Sequence, residues 1–204
     1  MKNVFIVFTL VWFVLISNSF SEDFSKGANA YRKGDYETAL KVWRPLAEQG
    51  DDRAQSNMAL MYVKGQGVDQ DFIEAFRLYH LAAEQGNAYA QYNLGQMYRK
   101  GYHATDGQDY QDVQDYEIAQ KWYHLAAKQG NVAAQVHLGM LYAYGLGVIE
   151  DKLFAYMWWN SAASRGDKDA DANKSLLMES MTSSQIEKAK KLASECEKKN
   201  YKGC

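Results

Sequence analysis

Leu46-Ala47-Glu48-Gln49-Gly50 closes a stretch of chain in a manner that three later stretches repeat: Ala82-Ala83-Glu84-Gln85-Gly86, Ala126-Ala127-Lys128-Gln129-Gly130 and Ala162-Ala163-Ser164-Arg165-Gly166. The four glycines stand 36, 44 and 36 residues apart. Eleven residues before each lies an alanine (Ala39, Ala75, Ala119, Ala155) and seven before it an aromatic ring (Trp43, Tyr79, Tyr123, Trp159). Fifteen before it is always an aspartate: Asp35, Asp71, Asp115 or Asp151. Agreement in so many columns identifies a repeat architecture.

Each column has a physical job. The aspartate is an N-cap, accepting from an orphan N–H at the start of a helix; Asp71 with Glu74 reads as a capping box. The two alanine columns and the aromatic column share one helical stripe, small residues letting helices approach around a ring that fills the gap. The glycine is the left-handed residue that ends the helix. Asp51, Asn87, Asn131 or Asp167 follows at once as the N-cap of the next helix, which predicts a tight helical hairpin.

That next, leading helix has its own signature. Ala54-Gln55-Ser56-Asn57-Met58-Ala59-Leu60-Met61-Tyr62 aligns with Ala90-Gln91-Tyr92-Asn93-Leu94-Gly95-Gln96-Met97-Tyr98 and with Ala134-Gln135-Val136-His137-Leu138-Gly139-Met140-Leu141-Tyr142. Gly65, Gly101 and Gly145 follow, two of them continuing as Gly65-Gln66-Gly67-Val68 and Gly145-Leu146-Gly147-Val148. Together these columns resemble the Sel1-like repeat, a relative of the tetratricopeptide repeat distinguished by its 36-residue period and its glycine after the leading helix. The resemblance implies an all-α fold: a right-handed α-solenoid of stacked antiparallel helix pairs with capping helices. It covers about residues 24–181, and the tail from Met181 to Cys204 is similar to the closing segment of secreted members.

The expected layout is a signal peptide at 1–21, a repeat solenoid at 22–181 with units at 22–50, 51–86, 87–130 and 131–166 and a cap from 167, and a C-terminal capping helix and tail at 182–204. The third unit carries eight extra residues between Gly101 and Asp115. The first lacks a full leading helix and reads as an N-terminal cap over 24–32. Pro45 removes a hydrogen bond inside its helix and should kink it. After Gly166 the leading helix degrades to Asp167-Lys168-Asp169-Ala170-Asp171, a polar terminal cap of the kind solenoids need for solubility.

The N-terminus bears on location. Lys2 is followed by a run from Val4 to Ile16 that is apolar except at Thr9, with small Ser19 and Ser21 before Glu22. That order is the pattern of a cleavable secretory signal; a retained anchor would need about 20 apolar residues, more than this run offers. The reading is periplasmic or secreted, with no membrane span after cleavage. Removing Lys2 leaves 22 basic against 25 acidic residues, a balance that argues against a nucleic-acid partner. Cys196 and Cys204 are the only cysteines. In an oxidising compartment they bridge the tail, stabilising it by roughly 2–3 kcal/mol in the chain-entropy model; a redox pair would more typically be separated by two residues.

Chemistry is sparse. His80 and His124 share a column whose copies stand about 10 Å apart, too far for one metal ion. His137 replaces Asn57 and Asn93 and reads as a polar repeat position. His103, Asp106, Asp109 and Asp112 in the inserted loop match no calcium-loop spacing and read as solvated. No triad ordering, metal-ligand spacing or phosphate loop occurs, so neither an enzyme, a metal nor a cofactor is expected.

The binding expectation rests on the outward positions of the leading helices, which line the concave side of such stacks. They are Arg53, Ser56, Leu60 and Val63, then Tyr89, Tyr92, Gln96 and Arg99, then Val136, Met140 and Tyr144 (Ala133 beside them). Tyr and Arg dominate binding hot spots, and a contiguous apolar patch marks an interaction site. Arg53 and Arg99 are expected to orient acidic groups of the partner. The competing possibility is that the C-terminal helices fold back and bury the stripe. The expected function is a monomeric protein-interaction module of the bacterial envelope that binds a protein or peptide in this groove. The resemblance also implies two alternatives: an immunity protein neutralising a periplasm-acting secreted effector, and a β-lactamase-like enzyme, against which stands the absence of Ser-x-x-Lys and of a cysteine pair in every repeat.

Overall fold

The computed structural model describes residues 22–102, 114–201 and 203. The apolar run 4–16, the loop residues His103, Asp106, Asp109 and Asp112, and Cys204 lie outside the described residues. Those described are helical, joined by turns: α1 (22–32), α2 (Tyr36–Glu48), α3 (Asp52–Lys64), α4 (Phe72–Glu84), α5 (Ala88–Lys100), α6 (Tyr116–Lys128), α7 (Val132–Tyr144), α8 (Lys152–Ser164), α9 (Lys168–Glu179) and α10 (Ser183–Lys198). Among them no helix is long and apolar enough to cross a membrane. The chain divides into two compact units, one ending at Ala82 and one starting at Ala83, both built of helices packed in adjacent pairs.

The recurring residues hold the helix ends. Asp35, Asp71, Asp115 and Asp151 each accept from backbone N–H groups of the helix they precede. Asp51, Asn87, Asn131 and Asp167 do the same one turn of chain later. The hairpin glycines are left-handed, with φ of 93° at Gly50 and 87° at Gly130. The amide after each returns to the preceding helix, as Asp51 N–H to Leu46 O (2.9 Å) and Asn131 N–H to Ala126 O (3.1 Å). Glu74 gives its carboxylate to Arg77, in a two-pronged pair at 2.6 and 2.8 Å.

A second junction explains why the insertion is tolerated. The aspartate amide that opens each trailing helix donates to the carbonyl of the tyrosine near the end of the leading helix: Asp71 to Tyr62 (3.1 Å), Asp115 to Tyr98 (3.0 Å), Asp151 to Tyr142 (2.9 Å). Asp115 makes this bond across eight extra residues, so the insertion enters and leaves the repeat without shifting its frame.

In the first unit α2 packs on α3. The Trp43 indole stacks on Phe24 at 5.8 Å, donates to Phe24 O at 3.2 Å, and lies directly over Gly27, where a Cβ would collide with it. The segment read as a mere cap thus gives Trp43 the small-residue seat that a leading helix provides. Helix α2 runs unbroken through Pro45, whose exposed position leaves the freed carbonyl of Lys41, also exposed, accessible to water.

In the second unit α5 packs on α6, α6 on α7, α7 on α8, α8 on α9, and α10 on α8. The core gathers Tyr123, Leu138, Leu141, Met157 and Trp158, with Ala189, Ala193, Cys196 and Tyr201 from the closing segment. Gly95 seats the Tyr123 ring, at 2.8 Å from where a Cβ would stand, and Gly139 seats Trp159 more tightly still. Helix α9 is a full leading helix, with Ala170 buried in the register of Ala54, Ala90 and Ala134.

Candidate functional site

The outward positions divide sharply between the two units. In the first, Ser56 is only 2% exposed and leaves the candidate face, since a buried hydroxyl touches no partner. Arg53 is exposed but engaged: its guanidinium grips Asp51, the N-cap of its own helix, at 2.7 Å, and lies over the Phe24 ring at 4.3 Å. Leu60 and Val63 are half-buried. A different cleft of about 420 Å³ opens here, lined by Arg44, Glu48, Gln55, Glu74, Arg77 and Leu81 among others; the columns used to pick outward positions of the leading helices do not reach it.

In the second unit the columns of α7 and α9 meet at two openings, while of the α5 positions Tyr92 reaches the His137 ring and Tyr89, Gln96 and Arg99 line neither opening. Helices α5, α7 and α9 present Tyr89, Tyr92, Gln96 and Arg99, then Val136, Met140 and Tyr144, then Asn173 and Leu176. A cleft of about 440 Å³ opens between Ala143, Tyr144 and Trp159 on one side and Leu176, Leu177 and Glu179 on the other. Lys152 closes its rim, bonding Ser180 Oγ at 3.1 Å. A smaller pocket of about 180 Å³ adjoins it, lined by Val136, His137, Met140, Tyr144, Trp159 and Asn173. Tyr144 and Leu176 stand 69% and 64% exposed, large apolar surfaces left in water at the mouth. The indole of Trp159 is fixed by its bond to Val136 O at 3.0 Å.

A polar network stiffens the α5 side. The Gln96 amide donates to Tyr92 Oη (2.7 Å), while its oxygen accepts from Arg99 Nε (2.8 Å) and Tyr123 Oη (2.8 Å). Burial raises the phenol pKa of Tyr92 and, more strongly, that of Tyr123, so both stay protonated and able to donate. Arg99 is tied into the face and not extended from it. His137 repeats the job of its column: Asn57 and Asn93 donate to the carbonyl four residues back (2.8 and 2.9 Å), and His137 Nδ1 lies 2.8 Å from Ala133 O. Its ring sits 5.2 Å from Tyr123 and 5.6 Å from Tyr92, and burial lowers its pKa.

The described tail does not cover this face. Tyr201 stacks on Trp158 at 5.3 Å and shares a short hydrogen bond with Ser161, both on α8. His80 rests against Phe76 and His124 against Trp158, and among the described residues no group of three metal-ligating side chains assembles. Of the cleft residues only Tyr144 was anticipated; Ala143, Lys152, Trp159, Asn173, Leu176, Leu177, Glu179 and Ser180 were not. Extending the columns past Asp171 finds two of these eight: Asn173 falls in the column of Asn57, Asn93 and His137, and Leu176 in that of Leu60, Gln96 and Met140.

Comparison with known proteins places these observations. The Sel1 repeat matches at residues 52–87, 88–131 and 132–167. A Sel1 repeat protein from Oxalobacter formigenes superposes with a TM-score of 0.68 at 32% identity, over 76% of this chain and 58% of that one. A protective antigen of uropathogenic Escherichia coli strains displaying an SLR fold gives 0.76 at 27% identity, over 92% and 40%. The exopolysaccharide production negative regulator of Rhizobium leguminosarum bv. viciae is 42% identical over 53 residues, 26% of this chain and 20% of that protein. The chain thus spans about a fifth of that relative, and between two fifths and three fifths of the two structures.

Proposed function

Because the chain belongs to the Sel1 repeat family, whose members act as protein-interaction modules and are generally non-enzymatic scaffolds, we propose that it docks a protein or peptide on the α5–α7–α9 face. The observation that carries this reading is the pair Tyr144 and Leu176, large apolar side chains held in solvent on either side of a cleft lined by Trp159. Exposure of that kind costs solubility, and a rigid pocket with aromatic anchors and a polar rim of Lys152, Asn173 and Ser180 is the anatomy of an interface core. The module works in the bacterial envelope or outside the cell, as a monomer without cofactor. The apolar run 4–16 supports export, and a Cys196–Cys204 bridge suits that compartment. The regulator among its relatives fits a role exercised by binding.

Photo-crosslinking tests the face directly. A benzophenone side chain is placed at Tyr144 or Leu176, and as a control at the exposed Leu125 of α6. Discrete adducts with envelope proteins are expected from 144 and 176, absent from 125, and lost from 176 when Tyr144→Asp is added in a variant of unchanged helicity. Equal labelling from all three positions would remove the face from consideration.

A further inference from the structure

The smaller pocket carries a polar requirement that the apolar cleft does not. The Ala133 carbonyl can only accept, so the proton bonded to it belongs to His137 Nδ1, and the opposite ring nitrogen, Nε2, carries a lone pair. Asn57 and Asn93 fill the same column with a donor to the same kind of carbonyl, which is why the tautomer is set by the repeat. Among the described residues nothing bonds His137 Nε2. His137 lines the smaller pocket together with Val136, Met140, Tyr144, Trp159 and Asn173, and Nε2 is the acceptor its ring has left to offer.

The charge around it selects the ligand. Arg99 and Lys100 act on the imidazole as positive charges and add to the burial that keeps it neutral. A cationic donor, lysine or arginine, would meet like charge there. A carboxylate would bring acceptors to an acceptor. Serine or threonine would leave most of a pocket of about 180 Å³ empty. What satisfies all three conditions is a flat apolar body that ends in one neutral donor.

We propose that this pocket seats a single side chain of the protein partner, a tyrosine or tryptophan, whose terminal O–H or N–H is donated to His137 Nε2. The inference rests on the docking face described above and adds its chemistry: the partner presents a donor-bearing aromatic residue, anchored between Met140 and Trp159. A phenylalanine at that point would fill the space and leave Nε2 dry and unpaired. Sites built around such a hydrogen bond reject the analogue that lacks it more strongly than apolar pockets reject a change in size.

The test uses the full chain with N-acetyl-tyrosinamide, N-acetyl-tryptophanamide and N-acetyl-phenylalaninamide as probes. Binding is followed by the Met140 methyl resonance and by the nitrogen shift of His137 Nε2. Saturable shifts at both positions with the tyrosine or tryptophan amide, at least fivefold tighter than with the phenylalanine amide, are expected. The His137→Asn variant, which keeps the column's donor but withdraws the acceptor toward the helix, should erase that preference while still binding the phenylalanine amide. Equal affinity for all three probes would overturn the acceptor role and leave the docking face standing. Absence of any shift at Met140 would overturn the pocket itself, with the crosslinking from 144 and 176 still deciding the face independently.

Discussion

Replacing Arg165 by glutamine should stabilise this protein, because one repeat lacks a hydrogen bond that its neighbour makes. Gln91 and Gln135 occupy the same column, and both amide nitrogens donate to the end of the preceding trailing helix, at Ala83 O and Ala127 O, at 3.1 Å. Their oxygens fare differently. Gln91 Oε1 accepts from Gln129 Nε2 at 2.8 Å, and the same nitrogen reaches Gly86 O at 2.9 Å. One repeat later Arg165 takes the place of Gln129; it reaches Gly130 O at 3.0 Å, and Gln135 Oε1 stays buried with no partner.

An unpaired buried acceptor costs about 1–3 kcal/mol. Arg165→Gln restores the donor but gives up a guanidinium contact at an exposed site, so a net gain of about 1 kcal/mol is expected. For a chain of this length that corresponds to about 2–4 °C in Tm. Urea unfolding followed by circular dichroism reads the gain as a higher midpoint at unchanged slope. The mirror variant Gln129→Arg should lose a similar amount by orphaning Gln91 Oε1. In a Gln135→Met background the gain from Arg165→Gln should vanish, since the acceptor is gone. A gain that persists there, or no gain in the parent, refutes the reasoning.

Two further outcomes follow from the same geometry. Gly139→Ala places a Cβ inside the Trp159 indole, and overpacking of about 1–3 kcal/mol should outweigh the roughly 1 kcal/mol of helix propensity that alanine contributes; a lower unfolding midpoint together with altered Trp fluorescence checks it, and a neutral result would mean that the ring is free to move. His137, whose pKa burial lowers from its ordinary 6.5, resists protonation in the folded chain. Its stabilising contribution is therefore intact above that value and is lost as pH falls through the lower folded one; unfolding midpoints measured between pH 7.5 and 5 should drop more steeply for the parent than for His137→Asn.

Where the repeat speaks, local structure is legible in the amino acids. The capping aspartates and asparagines, the left-handed glycines and the pairing of a ring with a small residue are short-range requirements that each copy must meet, so four copies state them four times. The candidate face was legible only in part, for two separate reasons. Counting around a helix says which positions point outward, but not whether a side chain there is already satisfied: Arg53 is spent on Asp51 and Phe24, and Ser56 is sealed beneath its neighbours. The Phe24 ring beneath Arg53 comes from α1, a helix that aligns poorly with the other leading helices and yet seats Trp43 as they seat their rings.

The second reason is that a degraded repeat still keeps its register. Helix α9 has exchanged the column glutamine for Asp171 and its polarity suggests a solvated cap, but Ala170 remains buried where the other copies bury alanine. Register then dictates the rest, since residues three and six positions further along must face the same way as His137 and Met140. Those residues are Asn173 and Leu176, and with Tyr144 they form the mouth of the cleft. Helix α9 packs on α8, and Leu177 and Met178 turn into the core that α10 joins, while the column holding Leu176 stays open to solvent. Leu176, at 64% exposed, is the one of the three consecutive apolar residues Leu176, Leu177 and Met178 that stands in water, and the docking proposal rests on it beside Tyr144.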